Sequence, residues 1–99
     1  MRSETRIIKE HLRKRFPESK LSFAYCKASN YAWGGDIIRI KTDIPYNQVK
    51  DCIYEITKGI SIYPKGGCAS TYLTQSSNYR IGELKDTMVE FIEIEESSQ

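Results

Sequence analysis

Val49, Cys52, Ile53 and Ile56 recur at i, i+3, i+4 and i+7. That period gathers all four on one side of an α-helix and leaves Lys50, Asp51 and Glu55 off it. A helix that is apolar on one side only must bury that side against another layer. This requirement restricts the chain to layered folds. The helix has a start signal in Asp43-Ile44-Pro45, because proline is tolerated in a first turn. It has a stop signal in Gly59, which suits the left-handed position after a helix.

A second amphipathic segment opens the chain. Ile8, Leu12 and Phe16, with Ile7 beside them, predict a helix over 5–16. Ser3 or Thr5 can cap it, Glu4 suits its positive first turn, and Pro17 ends it. Around these helices the period changes to two. Residues 20–26 alternate Leu21, Phe23 and Tyr25 with Ser22, Ala24 and Cys26, and residues 36–42 set Ile38, Ile40 and Thr42 against Ile37, Arg39 and Lys41. Both read as strands joined by a long aromatic loop. Short strands follow at 60–63, before Pro64, and at 69–74. A last one at 87–95 has a slipped alternation, which a bulge at Phe91–Ile92 or burial on both faces would explain.

The predicted order is α-β-β-α-β-β-β. We expect an α+β two-layer sandwich, with two helices packed on one face of an antiparallel sheet. At 99 residues the chain suits one domain, since two cores would each be too small. No apolar run reaches the roughly 20 residues that cross a bilayer, and no apolar stretch follows the charged N-terminus, so neither a membrane span nor a signal peptide is expected. Cytoplasmic residence is the expectation that follows.

Chemistry-bearing constellations are sparse. His11 is the only histidine and lies among charged helix neighbours. Cys26, Cys52 and Cys68 form no C-x-x-C pair and read as small buried hydrophobes. Gly34-Gly35 and Gly66-Gly67 do not continue into a phosphate loop. No catalytic residue, metal site or cofactor is expected.

Binding features are clearer. Charge is polarised along the chain: residues 1–20 carry +4, 21–82 carry +3 and 83–99 carry −5, although the total is only +2. Arg6, Lys9 and Arg13 fall near one helical line that could follow a phosphate backbone; a solvated face would look the same. The loop holding Tyr31 and Trp33 beside Gly34-Gly35, followed by Arg39 and Lys41 on one strand face, could anchor in a protein pocket or stack on a base. Alternatively Trp33 closes the end of the core. Glu83, Asp86, Glu90, Glu93, Glu95 and Glu96 could together mimic a nucleic acid.

The run FPESKLSFAYCKASNYAWGGDIIRIKTDIPYNQVKDCIYEI, residues 16–56, resembles the small domain attached to large polyvalent proteins of phages and conjugative elements. A helix ends in Phe-Pro, and strands like KLSFAY and IIRIKT flank a loop like SNYAWGGD. An Asp with a Pro shortly after it then leads to a helix near Val49. The chain departs from that pattern at Lys41-Thr42-Asp43-Ile44-Pro45, where an aromatic followed by Asp-Gly-Pro is expected, and residues 57–99 carry none of it. The resemblance implies a non-enzymatic binding protein of a phage or mobile element. It would inhibit a host nucleic-acid-directed defence system by protein–protein contact, as an anti-CRISPR protein does. The alternative is a small nucleic-acid-binding domain using the basic N-terminal helix. An unpaired sheet edge could also make a homodimer. If Trp33 is a contact, Trp33→Ala abolishes partner binding while thermal unfolding stays cooperative; loss of the cooperative transition assigns the ring to the core.

Overall fold

A computed structural model describes residues 3–27, 36–57, 60–66 and 89–97. Two helices and four strands are built from them. In chain order these are α1 (Ser3–Arg15), β1 (Leu21–Cys26), β2 (Asp36–Thr42), α2 (Tyr46–Ile53), β3 (Ser61–Pro64) and β4 (Val89–Glu96). A 3-10 turn, Tyr54–Ile56, prolongs α2. The expected strand at 69–74, residue 87 and Gly59 lie outside the described residues.

The α+β class is as expected, with the helices packed against a four-stranded sheet ordered β1-β2-β4-β3. The sheet itself is mixed where an antiparallel one was expected. β1 and β2 are antiparallel, but β4 runs parallel to both of its neighbours, β2 and β3. Alternation along a strand fixes which side chains share a face; it does not fix direction. Direction comes from the connection. The segment from Asp43 to Ile60 is long enough for a helical crossover, which brings the chain back to start β3 in the direction of β2. β4 then occupies the slot between them.

One face of the sheet takes up the helix stripes. Ile38, Ile40 and Thr42 of β2 lie level with Ile92, Ile94 and Glu96 of β4, and Ile62 of β3 lies level with Ile92. All five isoleucines are essentially sealed from solvent. Over them pack Ile8 and Leu12 of α1 and Val49 and Ile53 of α2, also sealed, and Ile56 just beyond. Leu21, Phe23 and Tyr25 extend this face at half burial. Thr5, expected as a cap, instead lies inside α1 and is buried, because the helix starts at Ser3.

The slipped alternation of β4 has a definite cause. Asp36 pairs with Val89 and Ile37 with Phe91, so Glu90 is an extra residue on β4. This bulge lies one residue before the expected site. It turns Val89 to the helix side together with Ile92 and Ile94, and leaves Phe91 on the opposite side.

The helix ends are closed by polar groups outside the apolar stripes. The Tyr46 amide, an orphan donor at the start of α2, gives its hydrogen to Glu96 Oε1 at 3.0 Å, so a carboxylate from β4 meets the positive helix end. Pro45 precedes the helix with ψ 142°, and its carbonyl accepts from Gln48 and Val49. At the other end the buried Thr57 hydroxyl donates to the Ile53 carbonyl at 2.8 Å. Beyond α1 the turn is held by Arg13, whose guanidinium donates to the carbonyls of Pro17 and Ser19. After β3 the chain turns through Gly66 at φ +78°, a conformation that side-chain-bearing residues rarely hold.

Truncating the central row should therefore dominate the energetics. Ile92→Ala is expected to cost about 3 kcal/mol in urea unfolding. Phe91→Ala, on the other face, should cost clearly less.

Candidate functional site

The face of the sheet turned away from the helices is built by the alternate residues. Across it the registers set three rows. Cys26, Ile37, Phe91 and Ser61 form one end; Ala24, Arg39, Glu93 and Tyr63 form the middle; Ser22, Lys41 and Glu95 form the other end. Lys65 follows β3 and reaches this last row. One half of the face is thus apolar and aromatic, the other charged.

In the charged half, Arg39 Nε lies 3.3 Å from Glu93 Oε1, and Lys65 Nζ lies 3.2 Å from Glu95 Oε1. Glu93 is the more enclosed partner, at 16% side-chain exposure against 50% for Arg39. Lys41 is exposed and stands beside Glu95 across the β2–β4 pairing. Together with Ser22 and Ala24 these groups line a depression of about 340 Å³. The cations outnumber the anions there, three to two among the described residues. In the apolar half, the Tyr63 and Phe91 rings meet edge to face, with centroids 6.4 Å apart and planes at 75°. The loop joining β1 to β2 leaves from this end; its Tyr31 and Trp33 lie outside the described residues.

Of the expected contacts, then, the structure places Arg39 and Lys41 together on one face. Sequence reasoning did not anticipate Glu93, Glu95 and Lys65 as their neighbours. Period-two alternation in 87–95 could have paired Glu93 with Glu95, but only knowledge that β4 adjoins β2 brings them to Arg39 and Lys41. The acidic end of the chain is thus partnered from its middle, by Arg39, Lys65 and the Tyr46 amide.

The basic helix is less uniform than its spacing suggested. Arg6 is exposed, whereas Lys9 and Arg13 are half-buried along the flank of the packed stripe. Arg13 is committed to the main-chain carbonyls beyond α1. The acidic cluster is also divided. Glu93 and Glu95 are ion-paired, Glu96 caps α2, and Glu83 and Asp86 lie outside the described residues.

Cys26 and Cys52 are free thiols at half burial, and Cys68 lies outside the described residues. Cys52 Sγ faces the His11 main-chain carbonyl at 3.6 Å. Burial raises its pKa, and the Arg15 charge opposes this. The pKa of Tyr46 is likewise raised by burial; its hydroxyl donates to the Ile62 carbonyl at 3.3 Å. Among the described residues, no group of three or more His, Cys, Asp or Glu could hold a metal ion. No helix among them is long and apolar enough to cross a membrane.

Fold and face together define an α+β two-layer domain with one helix-covered sheet face and a second that no helix among the described residues covers. Comparison with family models, curated proteins and solved structures gives no match.

The two raised pKa values have a stability consequence. Cys52 and Tyr46 hold their protons more tightly folded than unfolded. Their contribution is intact below the ordinary thiol and phenol ranges and is lost as pH rises through the raised values. The Tm should fall on the alkaline side, and the fall should be shallower in Cys52→Ser and Tyr46→Phe than in the parent chain.

Proposed function

We propose that this chain is a non-enzymatic binding protein whose sheet face opposite α1 and α2 engages a protein partner. The observation that carries the reading is the division of that face. An aromatic and aliphatic half around Phe91, Tyr63 and Ile37 adjoins a charged half containing Arg39, Lys41 and Lys65. Protein interfaces combine an apolar centre with charges that set orientation and speed of encounter. An acidic patch bordered by hydrophobic side chains is the complement of this surface. Tyr31 and Trp33, on the loop at its apolar end, belong to the same reading as contacts.

The resemblance of residues 16–56 to the phage and conjugative-element domain supports a finer version. In it, the chain acts in the host cytoplasm, and the partner is an RNA-guided nuclease of the host's defence, inhibited by occupation of a surface. The commitment of Arg13 to the turn after α1 weighs against the basic helix as the binding element.

A panel of purified RNA-guided nucleases tests this directly. The chain should slow plasmid cleavage by at least one of them in a dose-dependent way. Lys41→Ala should weaken inhibition by about tenfold, consistent with loss of an interfacial charge, at unchanged Tm. Inhibition that is indifferent to Lys41 and Trp33 contradicts the proposal. So does a DNA gel shift by the chain itself that disappears on neutralising Arg6 and Lys9.

A further inference from the structure

The two edges of the sheet differ. Main-chain direction on each follows from single hydrogen bonds, because the N–H and C=O of one strand residue leave on the same side and successive residues alternate. On β3, the Lys65 amide donates to the Ile94 carbonyl at 2.8 Å, so Lys65 faces β4, and Ile62 and Pro64 face outward. That edge is blunted. The Ile62 carbonyl accepts the Tyr46 hydroxyl, Pro64 has no N–H to offer, and the strand is four residues long.

On β1 the same reasoning gives the opposite result. The Ser97 amide donates to the Thr42 carbonyl at 2.7 Å, so Thr42 faces β4. Its cross-strand neighbour Leu21 therefore turns its main-chain groups away from β2, and so does Phe23 two residues on. β1 is six residues long and pairs with β2 in unbroken register. Its sequence, LSFAYC, contains no proline and no charge. Among the described residues no strand covers its outer side. Natural edge strands are ordinarily protected by shortness, proline, bulges or lysine. β3 has two of these protections and β1 none.

We propose that the outer edge of β1 is a self-association site, at which a second copy of this chain adds its own β1 antiparallel across a twofold axis. An axis normal to the sheet at Phe23 keeps both helix layers on one side. It pairs Phe23 with Phe23 of the second copy, each amide donating to the other's carbonyl. Ser22 then lies opposite Ala24 of the second copy, and Lys20 lies opposite Cys26. No like charges meet, and the half-exposed Leu21 and Phe23 side chains are drawn into a joined helix-side core. The strand is thus complementary to itself in main chain, side-chain size and charge. The inference is independent of the function proposed for the other residues.

Sedimentation of the full chain over a range of concentrations tests it. The parent chain should reach a dimer. In Ser22→Glu/Ala24→Glu the new carboxylates face Lys41 and Arg39 within each copy but face one another across the axis. This variant should stay folded, with dimerisation weakened by at least about tenfold, as expected for two repulsive cross-strand pairs. An equimolar mixture with Ser22→Lys/Ala24→Lys should restore the dimer. As a second readout, exchange of the Phe23 amide in the parent chain should slow as concentration rises. A parent chain that is monomeric throughout overturns the proposal. So does a dimer that the glutamate variant leaves intact, or a Phe23 amide whose exchange is independent of concentration.

Discussion

The structure depends on one burial event: the isoleucine rows of β2, β4 and β3 closing against Ile8, Leu12, Val49 and Ile53. These branched side chains have few rotamers to lose and much apolar area to hide, so their burial outweighs the ordering cost of a small domain. Everything else is arranged around that contact. The bulge at Glu90 exists so that Val89, Ile92 and Ile94 can all reach it. Glu96 can cap α2 because β4 ends where that helix begins. Placing both helices on one side leaves the reverse face to residues that need not be apolar, and there Arg39, Lys41, Glu93 and Glu95 are found.

Much of this was legible in the sequence because periodicity reports which residues share a face. The helix stripes Ile8–Leu12 and Val49–Cys52–Ile53–Ile56, and the strand faces Ile38–Ile40–Thr42 and Leu21–Phe23–Tyr25, were readable without coordinates. Strand order and direction were not. Nothing in VEFIEIEE says that it enters between β2 and β3, parallel to both. Long-range pairing of this kind is decided by connection geometry and by the total core, which no local window contains. For the same reason the sequence showed Arg39 and Lys41 but not Glu93, Glu95 and Lys65 around them. Nor did it show that the Thr57 hydroxyl and the Arg13 guanidinium would serve main-chain carbonyls.

The functional reading follows from the same asymmetry. A face sealed by helices can only stabilise; a face that keeps charges beside an aromatic pair can recognise. The ion pairs on it are partly exposed, so they add little to folding. They hold Arg39 beside Glu93 and Lys65 beside Glu95. The single histidine and the buried-side thiol of Cys52 contribute no comparable arrangement. The proposed contacts Arg39 and Lys41 therefore lie on the face opposite the isoleucine core.

β4 is the keystone strand, held on both sides by β2 and β3 and from above by α2. Native-state hydrogen exchange in increasing urea tests whether β4 opens only with the whole domain. The amides of Ile92, Ile94, Ile38 and Ile40 should exchange only through global unfolding, with opening free energies equal to that of the whole domain. Exchange of the β4 amides through a low-energy local opening, while the β1–β2 pair stays protected, would show that β4 is not the strand on which the fold depends.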